Sequence, residues 1–118
     1  MPVEYLGEKI FYAEVESNGQ IWVARGNNII IYAMEIDRTG FSLPVWSSSQ
    51  KVVDFLKNAR LVGPKYEPYA VPLGVFTEAW LSDQRKAIVE LQINPDGKSP
   101  RALVMTTAEF RHSQKTQT

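Results

Sequence analysis

The residues best suited to form a binding site are aromatic and charged side chains in two separate stretches of the chain. One stretch, 66–72, is bounded by prolines and is predicted to be an ordered loop, a setting that often carries function. The other stretch lies within strands that are predicted between 20 and 36. Tryptophan and tyrosine combine a large apolar ring with a polar tip and are favoured at binding surfaces. The predicted ligand- or partner-binding residues are Trp22, Arg25, Glu35, Tyr66, Glu67 and Tyr69.

Residues that could support catalysis or bind a metal are poorly represented. The single histidine, His112, has neither a cysteine nor a second histidine with which to share a zinc ion, and a solvated position at a helix end explains it. Serines 47–49 could hold a nucleophile, but a nucleophile needs a base and an oxyanion hole, and helix capping accounts for them. The acidic residues lack metal-loop spacing, and the sequence has no phosphate-binding glycine loop. We therefore predict no catalytic residue, no metal ligand and no cofactor.

The composition indicates a soluble globular protein without a strong electrostatic preference. Thirteen basic residues balance thirteen acidic ones, so the chain lacks the positive charge of a general nucleic-acid binder or of a protein that binds anionic membranes. The absence of cysteine agrees with a reducing compartment. The N-terminus lacks the basic and apolar regions of a signal peptide, and no apolar run approaches the roughly 20 residues of a membrane helix. We expect a cytoplasmic protein.

The elements that would position the predicted site begin with a segment at 4–17. Apolar residues at helical spacing predict a helix there, although the part from 10 to 16 could also form a strand. Residues 20–46 are predicted to form a three-stranded antiparallel meander, with turns rich in glycine and asparagine. The second strand of this meander is predicted over 29–36.

The stretch that follows the meander is predicted to turn directly from a strand into a helix. The strand ends at Trp46, and Ser47 with Gln50 fits a capping box at the start of a helix over 48–58. The apolar stripe of this helix comprises Val52, Phe55, Leu56 and Ala59. Each of the three tryptophans of the chain lies on a predicted apolar face, so we expect them in the core.

The second half of the chain opens with an extended segment at 66–72. Its two prolines are expected to make it poor at pairing on both edges. Pro72 fits the first turn of a helix over 72–83, whose apolar face repeats at helical spacing.

A hairpin and a short helix are predicted near the C-terminus. Residues 86–93 alternate between apolar and polar side chains, and 101–105 can return as the antiparallel partner after a turn at 94–97. Thr106 and Glu109 fit a second capping box, which opens a helix to about 112.

Together these elements predict one α+β domain over residues 1–112, followed by a frayed polar tail at 113–118. The antiparallel sheet has about five strands, from the N-terminal meander and the C-terminal hairpin. Two to four helices are expected mainly on one face of this sheet, including those near 48–58 and 72–83.

The order of motifs resembles a small bacterial family of unassigned function, the domain-of-unknown-function family numbered 2750. The resemblance covers roughly residues 6–110. Its more distinctive parts are Leu-Pro-Val-Trp before a helix and a Phe-x-x-x-Trp-Leu helix. The residues that carry it are Gly19, Trp22, the run Leu43 to Ser47, Tyr66, Pro68, Val71, Leu73, Phe76, Trp80, Leu81 and the run Asn94 to Asp96. The resemblance implies an α+β fold with an antiparallel sheet, and it implies no activity and no catalytic residues.

For function, these observations favour a non-enzymatic protein-interaction module, an adaptor or an inhibitor or immunity-type protein. It would bind an unidentified protein, or a second copy of itself, through a sheet edge or an aromatic groove. The alternative is a small-molecule-binding or enzymatic site lined by Trp22, Tyr66, Tyr69 and Arg25, which predicts a concave, mostly apolar pocket. Stacking of single-stranded nucleic acid on exposed aromatic rings is a third alternative, against which the neutral charge argues.

Overall fold

The computed structural model describes residues 3–27, 30–36, 40–61, 63–82, 87–99 and 103–116, and within these ranges the side chains from 7 to 112. In this part of the chain, four α-helices and six strands in two sheets form an α+β fold, which confirms the predicted class. The helices are α1 (Val3–Asn18), α2 (Ser49–Asn58), α3 (Leu73–Val75) and α4 (Thr107–Thr116). The strands are β1 (Gln20–Gly26), β2 (Met34–Ile36), β3 (Gly40–Val45), β4 (Tyr66–Pro72), β5 (Ile88–Ile93) and β6 (Leu103–Thr106).

The strands are arranged differently from the predicted meander. β1 pairs along its length with β4, while β2, β3, β5 and β6 form a second sheet in that order, in which β3 and β5 run parallel. Among the described residues of the predicted meander, only the isolated pairs Arg25–Ile31 and Trp22–Trp46 join β1 to the part of the chain between 30 and 46. The predicted strand over 29–36 is therefore wrong in extent, since β2 covers only its last residues. The C-terminal hairpin is confirmed by the antiparallel pairing of β5 with β6.

The prolines of β4 explain why this strand can pair with β1 after all. Pro68 lies opposite Ala24 and Pro72 lies opposite Gln20, so the two prolines are four residues apart along the strand. Because backbone N–H groups alternate between the two edges of a strand, both missing N–H groups belong to the same edge. The carbonyl of Ala24 accepts a hydrogen bond from the N–H of Tyr32, so the backbone polar groups of Ala24 point away from β4. Those of Pro68, directly opposite, point away from β1 in the same way. The missing N–H groups therefore belong to the edge of β4 that is remote from β1. The prediction that 66–72 pairs poorly on both edges is wrong for the edge that faces β1.

The helices at 4–17 and 48–58 are confirmed as α1 and α2, but the N-cap of α2 lies one residue later than predicted. Ser48 is the N-cap, and its hydroxyl accepts a hydrogen bond of 3.3 Å from the Lys51 amide. Ser47 is fully buried and bonds to other elements. The second capping box is confirmed, because the Glu109 amide bonds to Thr106 Oγ1 and the Thr106 amide bonds to the Glu109 carboxylate.

Two further helices differ from their predicted extents. α4 continues past the predicted end at His112 to Thr116, so part of the predicted polar tail is helical. The helix predicted over 72–83 begins as α3 and continues as a π-helix over Phe76–Trp80, with Pro72 at the N-cap. The end of that prediction, the predicted turns at 28 and 37–39, and the first residues of the C-terminal hairpin strands lie outside the described residues.

The core lies on both faces of the sheets. α1 and α4 cover one face and contribute Phe11, Val15 and Phe110 to the main cluster. α2 packs on the opposite face, where Val52 and Phe55 contact Trp46. The expectation that α2 shares a face with the other helices is wrong, because Trp46 follows Val45 directly and points to the opposite side. No described helix is long and apolar enough to cross a membrane.

The tryptophans are only partly core residues. Trp46 is fully buried, as expected, and its indole donates a hydrogen bond of 2.8 Å to the Pro95 carbonyl. Trp22 and Trp80 are half-buried at the margins of the two clusters.

Candidate functional site

The register of β1 and β4 separates the predicted site residues into two groups. Arg25 lies directly opposite Glu67, and Tyr69 follows two residues later on β4, so these three side chains share one face of the sheet. Trp22 and Tyr66 share the other face, which is the face that α2 covers. The structure therefore does not bring the five residues to a single pocket, although all of them lie on the same pair of strands.

The first group is a small charged cluster at the surface. The guanidinium carbon of Arg25 lies 4.2 Å from the centre of the Tyr69 ring, a cation–π arrangement. Arg25 Nη2 also lies 3.6 Å from Glu67 Oε1, an ion pair in which the Glu67 side chain is 69% exposed. The guanidinium of Arg25 thus contacts both the ring and the carboxylate.

The second group belongs to a chain of aromatic side chains beneath α2. The Tyr66 ring packs edge-to-face on Tyr32 at 5.4 Å, Tyr32 lies 6.0 Å from Phe55, and Phe55 lies 5.1 Å from the fully buried Trp46. Trp22 packs against the same cluster. Because each ring contacts the next, the half-buried Tyr66 is attached to the core and forms a rigid surface.

Glu35 lies apart from both groups. It is exposed on β2, where it pairs with Phe41. Among the described residues, no hydrogen bond or ion pair joins Glu35 to Arg25 or to any other predicted site residue.

An open groove of about 450 Å³ lies between the C-terminal half of α2 and the start of β4. Two residues of the 3₁₀ turn Gly63–Lys65, Gly63 and Pro64, are part of its lining. A smaller depression of about 140 Å³ adjoins the groove, and the two share Pro64, Tyr66 and Glu67. The groove is lined by Val53, Leu56, Lys57, Arg60, Gly63, Pro64, Tyr66, Glu67 and Pro68. We call this surface the α2–β4 groove.

The charges around the α2–β4 groove are predominantly positive. Lys57 and Arg60 line the groove itself, whereas Arg25 and Lys65 line the adjoining depression. Glu67 is the one carboxylate among the lining residues of either depression, and it is already paired with Arg25. The chain is neutral as a whole, so this excess of positive charge is a local property of the surface.

An exposed apolar side chain directly follows the cation Arg60 in the sequence. Leu61 follows α2 within a few residues and is 90% exposed, the largest exposure of any described large hydrophobic residue. The groove floor is also apolar, because Val53, Leu56 and Pro68 contribute to it. The surface thus combines apolar contact area with cationic side chains at its rim.

The sequence prediction found Tyr66 and Glu67 but missed the cations that surround them. Lys57 lies in the last turn of α2, and Arg60 follows the end of this helix by two residues. No helical spacing joins the two side chains, so the sequence offers no local signal for this pair, and they meet at one surface only because β4 lies beside this part of the chain.

Ser47, considered above as a possible nucleophile, is the buried member of a polar network. Its hydroxyl donates to Glu14 Oε1 at 2.7 Å and accepts from Asn94 Nδ2 at 3.2 Å, while its amide donates to Asn94 Oδ1 at 2.9 Å. The hydrogen bond from Lys51, followed by that from Ser47, lowers the pKa of Glu14. A fully buried hydroxyl has no access to a substrate, so this network serves the fold.

The other groups that could do chemistry are dispersed. His112 is exposed on α4. In the described part of the chain, no three histidine or acidic side chains are close enough together to hold a metal ion.

A family model described as "Protein of unknown function (DUF2750)" matches residues 9–113, which include the α2–β4 groove and the Ser47 network. No curated protein matches the chain significantly.

Proposed function

The chain belongs to the DUF2750 family of proteins of unknown function, and we propose that it is a non-enzymatic protein-interaction module of the bacterial cytoplasm. The module binds a segment of another protein in the α2–β4 groove. The observation that supports this proposal is the combination of an apolar groove floor with four cationic side chains and a single carboxylate around it.

The chemistry of the surface favours a partner segment with an apolar anchor flanked by carboxylates. Tyr66 and the exposed Leu61 offer apolar contact area of the kind that anchors interfaces. Lys57 and Arg60 on one side and Lys65 on the other would attract carboxylates, since complementary charge at an interface rim speeds association and selects partners.

Docking through side chains is favoured over addition of a strand to the edge of β4. Pro68 and Pro72 remove two of the outward N–H groups that an added strand would need. Of the two binding modes suggested by the sequence, a sheet edge or an aromatic groove, the groove is therefore the better supported at β4.

A small molecule is the second candidate occupant. A volume of about 450 Å³ falls within the range of ligand pockets, and the lining is largely apolar. Of the residues predicted to line such a pocket, Tyr66 lines the groove and Arg25 lines the adjoining depression, whereas Trp22 and Tyr69 line neither.

The proposal is tested by titrating a short glutamate-rich peptide with leucine and tryptophan anchors into isotope-labelled protein and following amide shifts by NMR. We expect the largest shifts around the α2–β4 groove, and weaker binding of the same peptide with glutamine in place of glutamate. Reversing two rim charges, Lys57→Glu with Arg60→Glu, should weaken binding at least about tenfold. The matched control reverses an exposed cation on α4, Arg111→Glu, and should leave affinity unchanged. Shifts that map outside the groove, or equal loss in both charge variants, would contradict the proposal.

A further inference from the structure

We infer that Glu67 determines which segments the α2–β4 groove accepts, because its carboxylate occupies Arg25 in the free protein and is exchanged for a carboxylate of the partner. This inference rests on the proposed function and adds a selection step to it. Arg25 would then be the anchor for one defined carboxylate of the partner, in addition to the diffuse attraction of the surrounding lysines.

The ion pair is built so that it can exchange. The 3.6 Å separation of Arg25 Nη2 and Glu67 Oε1 is longer than a hydrogen bond. The Glu67 side chain is 69% exposed, so it can rotate into water, while the Arg25 side chain is 33% exposed and rests on the Tyr69 ring. Exposed ion pairs contribute little to stability, so the pair opens at low cost. The arginine remains in place when the carboxylate leaves it.

The position of Glu67 gives the exchange its selectivity. Glu67 lines both the groove and the adjoining depression, whereas Arg25 lines only the depression and Lys57 and Arg60 line only the groove. A segment that reaches from the groove into the depression passes the residues common to both, Pro64, Tyr66 and Glu67, of which Glu67 alone is charged. An acidic segment is repelled by it unless one of its own carboxylates replaces Glu67 on Arg25, and a neutral segment has nothing with which to replace it.

The exchange makes a specific prediction for a double-mutant cycle. Glu67→Gln frees Arg25 and should tighten binding of the acidic peptide about threefold, since a rim ion pair is weak. Arg25→Gln in the native background should weaken binding only slightly, because the variant loses the contact with the partner carboxylate but no longer has to open the ion pair with Glu67. In the Glu67→Gln background, Arg25→Gln should weaken binding by more than the threefold that Glu67→Gln gained. If Glu67 acted only through its charge, the two substitutions would be additive.

The experiment is fluorescence anisotropy of the labelled glutamate-rich peptide against the native protein, Glu67→Gln, Arg25→Gln and the double variant. Glu78→Gln is the matched control, because it removes an exposed carboxylate from the π-helix that follows the other end of β4. We expect a non-additive cycle with the acidic peptide, no change in Glu78→Gln, and no cycle with the glutamine peptide. An additive cycle, or equal effects of Glu67→Gln and Glu78→Gln, overturns the inference and leaves the groove proposal standing. Failure of the acidic peptide to bind both the native protein and Glu67→Gln overturns the groove proposal itself.

Discussion

The hydroxyl of Ser47 donates a hydrogen bond of 2.7 Å to Oε1 of Glu14, and this contact joins helix α1 to the turn between β3 and α2. The same carboxylate oxygen accepts a hydrogen bond of 2.8 Å from Lys51 Nζ. Asn94, at the end of β5, bonds to both the amide and the hydroxyl of Ser47. The backbone of Asn94 has a φ of 48°, a left-handed conformation that asparagine tolerates better than most residues. One buried serine thus holds together three elements that are distant in sequence.

Replacing Ser47 should destabilise the fold more than replacing either of its serine neighbours. Ser47→Ala leaves the Asn94 amide and the Glu14 carboxylate with fewer partners, so we expect the free energy of unfolding to fall by about 1–3 kcal/mol. Ser48→Ala removes the N-cap of α2 and should cost about 1 kcal/mol. Ser49→Ala, at an exposed helical position, is the control and should have little effect. Urea unfolding of the three variants measures these differences, and a Ser47→Ala protein as stable as Ser49→Ala would contradict the assigned role.

The Glu14 contacts also predict how stability depends on pH. The hydrogen bond from Lys51, followed by that from Ser47, lowers the pKa of Glu14 in the folded protein below its ordinary value of 4.5. A lowered folded pKa contributes stability that is present above the unfolded pKa and is lost as pH falls through the folded pKa. Lys51→Gln should therefore reduce the free energy of unfolding at neutral pH, and the difference from the native protein should shrink below about pH 4.5.

Unfolding curves between pH 7 and pH 3 test this dependence. Asp96 contributes in the same direction, because hydrogen bonds from the Ser99 amide and then the Lys98 amide lower its pKa. Asp96→Asn is therefore a useful reference. It should change the acidic part of the curve of unfolding free energy against pH equally in the native protein and in Lys51→Gln. A difference between Lys51→Gln and the native protein that stayed constant with pH would show that the Glu14 pair is not its cause.

The sequence predicted local elements well and their long-range partners poorly. Three serines in a row all fit an N-cap, and local pattern could not decide between Ser47 and Ser48. The decision came from Glu14 and Asn94, which lie 33 and 47 residues away from Ser47. Helix caps follow from neighbouring residues, whereas the burial of one particular hydroxyl follows from tertiary packing.

The same distinction explains the strands and the candidate groove. The hairpin signals after β1 favoured pairing with the next strand, but β1 pairs with β4, which is remote in sequence, and propensity does not choose among possible partners. Tyr66 and Glu67 could be predicted because a proline-bounded aromatic segment is conspicuous, although this segment forms the strand β4 and the prediction of a loop was wrong. Lys57 and Arg60 could not be assigned to the same surface, because only the packing of α2 against β4 brings them there.

Two glycine substitutions should have opposite effects on stability. Gly63 lines the groove, and a Cβ atom on it would collide with the backbone carbonyl oxygen of Leu56. Gly63→Ala should therefore cost about 1–3 kcal/mol, and it should also weaken peptide binding in the groove. Gly74, in α3, has no atom within 4 Å of the corresponding position. Gly74→Ala should be neutral or stabilising by up to about 1 kcal/mol, because alanine favours the helix.

Thermal unfolding of both glycine variants, followed by titration of the glutamate-rich peptide, provides the measurement. Gly74→Ala serves as the control for binding, because its position lies beyond the far end of β4 from the groove. A Gly63→Ala protein with native stability and native affinity would show that the turn moves freely and does not shape the groove.

The prolines of β4 predict a change in self-association when one of them is replaced. The backbone nitrogen of Pro68 points to the edge of β4 that faces away from β1, where an N–H group could pair with another chain. Pro68→Thr restores that donor beside the N–H of Ala70, and threonine is favoured in strands. We expect this variant to form dimers or larger species at concentrations at which the native protein does not. Ala70→Thr introduces the same side chain at another outward-bonding position of β4 without adding a backbone N–H, and it is the matched control. Sedimentation velocity over a concentration series distinguishes them: equal association of the two variants would attribute the effect to the side chain, and unchanged association of Pro68→Thr would mean that the prolines do not protect this edge.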